Sequence, residues 1–237
     1  MKNQQVLLTG VTGFLGAHTA IQLLNKGYEV IGTLRNGDRI SSIKEVIVQH
    51  TDLTPYYKSK TIAEKAAWNF IQKDASSLEL VTVCPGAILG PVIERDHGTS
   101  AEIVVALMNG SYTALPKIGF DLVDVRSVAD LLILAMESPE ATGNRYIAAT
   151  GYLTLKAVAL ILKDHFPGRK IPTAEFPNFI RRMLAQFRPE LKPVLLEMVR
   201  RKTDISKAQR ELGWKPIPVK EAVISCANSL LELQIVK

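Results

Sequence analysis

The chain has 237 residues, 47% hydrophobic and 22% charged, which suits one soluble domain, or one with a small added lobe, able to bury a sizeable core. No apolar run reaches the length of a membrane span and the first residues lead directly into an apolar strand, so a cytoplasmic protein without membrane contact is expected. The net charge of +6 is uneven, with 15 Lys and Arg against 6 Asp and Glu over residues 156–220, but these charges fall at helical spacing without a nucleic-acid motif, so they read as a solvated helix face and exclude nucleic acid as an expected partner.

Val6-Leu7-Leu8-Thr9 predicts a short strand that breaks into Gly10, Gly13 and Gly16, spaced G-x-x-G-x-x-G. A helix follows from about Phe14 to Asn25 and stops near Gly27. Strand, glycine turn and helix start form the arrangement that pyrophosphate needs. The free N–H groups and positive end of a helix hold an anion only when no side chain blocks its approach. A second strand is predicted over Tyr28–Leu34. It ends in Arg35, with no acid until Asp38, which favours NADP over NAD because an arginine pairs with a 2′-phosphate where an acid would accept from a 2′-hydroxyl.

Residues 40–50 read as a second helix, with Ile43, Val46 and Ile47 on one face. After Thr51–Pro55 a strong helix is predicted from Tyr57 to about Lys73, its inward side formed by rows Ile62/Ala66/Phe70 and Ala63/Ala67/Ile71. Tyr56 and Lys60 stand four apart at its start and share a face. An ammonium beside a phenol favours the phenolate, lowering a pKa normally about 10, so the tyrosine can exchange a proton with a carbonyl or alcohol.

Leu78–Cys84 predicts a buried strand, Ala101–Met108 a helix closed by Asn109-Gly110, and Asn144–Ala149 another strand. Ser127 with Asp130 reads as a capping box opening a helix through Leu131, Leu134 and Ala135, which gives Ser127 a structural role. Thr154 is expected to cap a helix ending at His165, beside Phe166-Pro167-Gly168, where a favourable dipole contact is expected. From Phe176 onward the pattern is mostly helical, broken at Pro189 and Pro193, with a last amphipathic helix over Val219–Leu233. Phe176, Phe179, Met183 and Phe187 are read as core. Cys84 and Cys226 have no disulfide or metal spacing and are expected to be reduced, buried thiols. His18, His50 and His97 have no ligand spacing either, so no metal is expected.

Taken together, T-G-x-x-G-x-x-G at Thr9–Gly16 and P-Y-x-x-S-K-x-x-A-E-x-x-A-W at Pro55–Trp68 resemble the extended short-chain dehydrogenase/reductase family, the NAD(P)-dependent epimerase/dehydratase superfamily. The similarity is strongest to its dihydroflavonol-reductase-like and aldehyde-reductase-like branch. Val83–Pro91, Val123–Asp130, Asp204–Ala208 and Leu212–Pro216 are similar to further segments of that family.

The resemblance implies an α/β fold, a Rossmann-like doubly wound parallel sheet over residues 1–150, with a smaller, mostly helical substrate lobe over 151–237 interleaved with it. Gly10, Thr12, Gly13, Phe14, Leu15 and Gly16 would lie at the pyrophosphate, Arg35 at the 2′-phosphate, Lys60 at the nicotinamide ribose, and Pro85 with Ile88 near the nicotinamide. Tyr56 would donate the proton while NADPH gives hydride to a small-molecule aldehyde or ketone, in a monomer or homodimer. Two other readings stay open: an NADP-binding sensor or scaffold without turnover, and a nucleotide-sugar epimerase.

One interval departs from the pattern. A strand-plus-helix unit takes roughly 30 residues, yet only 20 separate Leu34 from Pro55. By the resemblance, three central strands and a carbonyl-polarising serine or threonine belong there. Ser41, Ser42, Thr51 and Thr54 do not follow an apolar strand, so none is given that role. Either a longer protein has a middle segment that this sequence lacks, its parts joined near His50 and Thr51, within residues 45–55, or the chain is internally deleted. Bare apolar faces and unpaired strand edges favour the first.

Overall fold

A computed structural model describes residues 5–10, 14–26, 28–33, 55–73, 78–95, 97–176 and 203–236. The helix expected over 40–50, residues 45–54 of the interval 45–55, Thr12, Gly13, Gly27, Arg35, Phe179, Met183 and Phe187 lie outside these residues.

Strand β1 (Gln5–Thr9) runs into helix α1 (Phe14–Asn25), which returns the chain to β2 (Glu29–Thr33). Parallel strands need a crossover, and α1 supplies it. The two strands pair from Gln5 with Glu29 to Thr9 with Thr33. Helix α2 (Pro55–Lys73) begins two residues earlier than the sequence predicts, with proline at its first position, where a missing N–H costs nothing.

The second half holds the remaining strands. They are β3 (Thr82–Pro85), β4 (Ala87–Leu89), β5 (Gly119–Asp124), β6 (Arg145–Ala148) and β7 (Gly151–Thr154). The helices are α3 (Gly98–Met108), α4 (Val125–Glu137), α5 (Leu155–His165), α6 (Ser206–Leu212) and α7 (Val219–Glu232). β3 pairs in parallel with β6; β4 pairs in parallel with β5, and β7 joins β5 antiparallel. Parallel strands alternating with helices make this the expected α/β, Rossmann-like architecture. β3 is shorter than the predicted Leu78–Cys84, because its partner β6 is only four residues long and the chain before it is held by Gly143 N–H donating to the Leu80 carbonyl at 2.8 Å.

Among the described residues the strands form three separate ladders, β1–β2, β3–β6 and β4–β5–β7. β1–β2 is therefore attached through a helix flank. Leu23 of α1, Ile133 of α4 and Tyr28 form one buried cluster, and the Tyr28 hydroxyl donates to Glu137 at 2.7 Å. The larger core packs α3, α5 and α7 against β4, β5 and β7, drawing on residues from Leu89 to Val236. A second core joins β5, β6, α4 and α6 around Trp214, whose indole N–H donates to the Ser127 carbonyl at 2.9 Å.

Two sequence expectations need correction. Asp124, not Ser127, caps α4, its carboxylate accepting from Arg126 N–H at 2.8 Å. Ser127 lies inside the first turn, where its hydroxyl accepts from Ile217 N–H, so its role is structural by a different contact. On α2 the row Ile62/Ala66/Phe70 points outward, with Phe70 61% exposed. Glu64, Ala67, Trp68 and Ile71 form the half-buried side, and no described element covers the other row. The caps at Thr154 and the stop after Met108 match expectation, with the Thr154 hydroxyl accepting from Ala157 N–H.

Candidate functional site

The glycine turn leaves β1 through Gly10, whose φ of +68° is left-handed and favours glycine on backbone grounds alone. Among the described residues no atom lies within 4 Å of where a Cβ would project from it. A left-handed glycine at the end of a strand, shortly before a helix N-terminus, is what an anion-binding loop requires. Phe14, Leu15 and Gly16 form the first turn of α1. Phe14 stacks edge-on to His18, ring centres 5.4 Å apart, and Leu15 packs on the second core.

Ile88 of β4 packs on that same core, so the start of α1 and the β3–β4 passage meet. The His18 Nε2–H donates to the Pro91 carbonyl at 2.8 Å and fastens α1 to the loop after β4. Two glycines let this passage lie close to its neighbours. A Cβ at Gly86 would collide with the Asp121 carbonyl oxygen, and one at Gly90, with φ +122°, would meet Val125 Cγ1 at 2.9 Å and Asp124 Oδ1 at 3.1 Å. Pro85 is exposed at the end of β3.

Tyr56 lies in the first turn of α2 and Lys60, one turn later, is exposed; the Tyr56 side chain is outside the described residues. The next turn of α2 holds a residue whose partners lie far away in the chain. Glu64 Oε1 accepts from Arg145 Nε at 2.7 Å, from the Thr82 hydroxyl at 3.2 Å and from the Cys84 thiol at 3.9 Å. Partial burial pushes the Glu64 carboxyl up, but hydrogen bonds from Arg145, Thr82 and Trp68, with the Arg145 charge, outweigh it and hold the group below its ordinary value. Burial pushes the Cys84 thiol up against the opposing Arg145 charge. Cys226 is fully buried and pushed up to about 12. Both cysteines are free, Cys226 buried as expected and Cys84 only half-buried.

Asp124 is another residue whose contacts the sequence left out. Beyond the cap, it receives Arg126 Nε at 2.9 Å and Nη2 at 2.7 Å while fully buried. A carboxylate at a strand-to-helix junction in V-D-V-R is the signal that points to it. Among the described residues no group of His, Cys, Asp and Glu could hold a metal, and no helix is long and apolar enough to cross a membrane.

The chain is similar to known proteins. Residues 6–54 match the model of the NAD dependent epimerase/dehydratase family. A cinnamoyl-CoA reductase of Medicago truncatula is 34% identical over 117 residues, 49% of this chain and 35% of that protein. The ketoreductase azaE of Aspergillus niger is 32% identical over 187 residues, 75% of this chain and 51% of that protein. The crystal structure of yeast methylglyoxal/isovaleraldehyde reductase Gre2 complexed with NADPH superposes with a TM-score of 0.73 at 19% identity, across 98% of this chain and 99% of that one. The chain spans about half or less of the length of these two curated relatives.

Parallel strands alternating with helices, the first strand ending in Gly10 before a helix, define a Rossmann-type fold. Within that class, the chain is similar to the extended short-chain dehydrogenase/reductase family, in its dihydroflavonol-reductase-like and aldehyde-reductase-like branch.

Proposed function

We propose that the chain binds NADP across the β1–α1 turn and reduces an aldehyde or ketone, with Tyr56 as proton donor. The carrying observation is that Tyr56 and Lys60 occupy successive turns of α2, which is seated by Glu64 on β3, the strand leading to Pro85 and Ile88. Gly10, Thr12, Gly13, Phe14, Leu15 and Gly16 would hold the pyrophosphate and Arg35 the 2′-phosphate. The space beside Gly10, which no described residue fills, fits that group. When bound there, the reduced cofactor would supply a hydride from C4 of its nicotinamide to the carbonyl carbon. Tyr56 gives its phenolic proton to the carbonyl oxygen, yielding an alcohol and the oxidised cofactor, while Lys60 favours the phenolate left behind and holds the nicotinamide ribose. Reductase names among the relatives, and NADPH in the Gre2 complex, support this reading.

A nucleotide-binding protein without turnover is the second reading. It is favoured by the separation of β1 from β3 into different ladders and by the lack of an assigned carbonyl-polarising hydroxyl between Leu34 and Pro55. NADPH mixed with a panel of aldehydes and ketones, followed by cofactor absorbance, distinguishes the two. The Tyr56→Phe variant should lose turnover by about a hundredfold or more and keep its NADPH affinity. Binding without oxidation by the unaltered chain would establish the second reading, and equal affinity for NADH and NADPH would remove Arg35 from its role.

A further inference from the structure

We propose that Glu64 is a positioning residue that sets the height and rotation of the Tyr56–Lys60 face of α2 on the β3–β6 ladder. The inference rests on the proposed roles of Tyr56 and Lys60 for its functional meaning, while its structural content can be tested without them.

Tyr56, Lys60 and Glu64 are successive i, i+4 positions, so they line one face of α2, with Glu64 about 6 Å beyond Lys60 along the axis. A single carboxylate oxygen of Glu64 takes the Arg145 Nε–H and the Thr82 hydroxyl. Thr82 and Arg145 are themselves register partners across β3 and β6. The helix is thus fastened to two adjacent strands at the point where they pair. From there β3 runs only three residues to Pro85. Any slide or roll of α2 would break at least one of these bonds.

Apolar packing leaves much of the seating to this contact. Ala67, Trp68 and Ile71 are only half-buried, while Ile62 and Phe70 face away. Arg145 is 54% exposed and Glu64 23%. An ordinary exposed ion pair of this kind contributes little. The distinguishing feature is that Thr82 and Arg145 converge on one oxygen from different strands, which fixes direction as well as distance.

Cys84 gives a cofactor-free measure of the seating, because it lies on β3 under Glu64 whereas Cys226 is buried. The experiment follows thiol modification by 5,5′-dithiobis(2-nitrobenzoate) in the unaltered chain, Glu64→Gln and Glu64→Ala, each checked for folding by circular dichroism. Both variants remove the carboxylate charge beside the thiol, so their difference reports geometry. Glu64→Gln keeps an oxygen that can accept from Arg145 and Thr82. Glu64→Ala is expected to react at least tenfold faster than Glu64→Gln. Equal rates would overturn the proposal. Should Glu64→Ala fail to fold, the exchange Glu64→Arg with Arg145→Glu replaces it, and its thiol rate should return to within threefold of the unaltered chain; a rate tenfold higher would overturn the inference.

Turnover adds the functional arm. Glu64→Ala should lower kcat at least tenfold and displace the alkaline limb of its pH profile, with the KM for NADPH changed less than threefold, and Glu64→Gln should recover most of kcat. An unchanged kcat and pH profile in Glu64→Ala would overturn the positioning role. Turnover retained by Tyr56→Phe, or absent from the unaltered chain, would defeat the proposed function and leave the seating to be judged by the thiol rates.

Discussion

His18 carries its proton on a defined nitrogen. Its Nε2 faces the Pro91 carbonyl, which can only accept, so the neutral ring is the Nε2–H tautomer. Burial holds its pKa below the ordinary 6.5, against the Pro91 hydrogen bond and the Asp124 charge, which raise it. A depressed histidine binds protons more readily in the unfolded chain, so its stabilising contribution is present above pH 6.5 and is lost as pH falls below that value through the folded pKa. Urea unfolding from pH 7.5 down to 5 should therefore show stability falling. His18→Gln, which keeps a donor for Pro91 and does not titrate, should show a shallower fall. An identical slope in the two proteins would place the pH dependence elsewhere. Single residues of this kind were poorly legible in the sequence. V-D-V-R-S-V-A-D offers two plausible caps three positions apart, and the choice of Asp124 follows from where β5 ends, a matter of pairing with β4 and β7. Glu64 stood inside a recognised motif, but its partner Arg145 lies 81 positions away.

Among elements, α1 shows how much periodicity can and cannot reveal. Its limits, Phe14 and Asn25, were readable from the glycine turn and the apolar spacing, and the helix occupies that span. Its consecutive leucines differ completely: Leu23 is 2% exposed against Tyr28 and Ile133, while Leu24 is 58% exposed. Leu23→Ala should cost about 3 kcal/mol as a core truncation and Leu24→Ala at most about 0.5 kcal/mol, read by urea unfolding. Comparable costs would mean that Leu24 is covered in solution. The outward row of α2 was illegible for a related reason. The spacing of Ile62, Ala66 and Phe70 marks an apolar stripe, whereas burial needs a neighbour that the stripe itself does not encode.

At the scale of the molecule, the two halves are unequally anchored. β5 is buried between two partner strands, with Val123 and Asp124 fully enclosed. β1 and β2 have only each other for ladder partners among the described residues, and Leu7 and Ile31 are 65% and 46% exposed. Six of the ten exposed large apolar side chains among the described residues, Leu7, Ile21, Leu24, Ile31, Ile62 and Phe70, belong to β1, α1, β2 and α2, on either side of residues 34–54. This is the region where the sequence showed too few residues for further strand and helix units. Beyond β3 the strand at Asn144–Ala149 and the helices after Thr154 and Val219 were legible from their own periodicity and caps, whereas the short strands β4 and β7 are defined only by pairing with β5.

A ribbon of two strands is marginal by itself, and this one is held against the rest by the flank of α1. Deuterium in the solvent should reveal it. The backbone amides that close the β1–β2 ladder should exchange by a local opening that leaves β5 shut, at least a hundredfold sooner than those pairing β5 with β4 and β7. Simultaneous labelling of both ladders would instead identify a protein that melts as one cooperative unit.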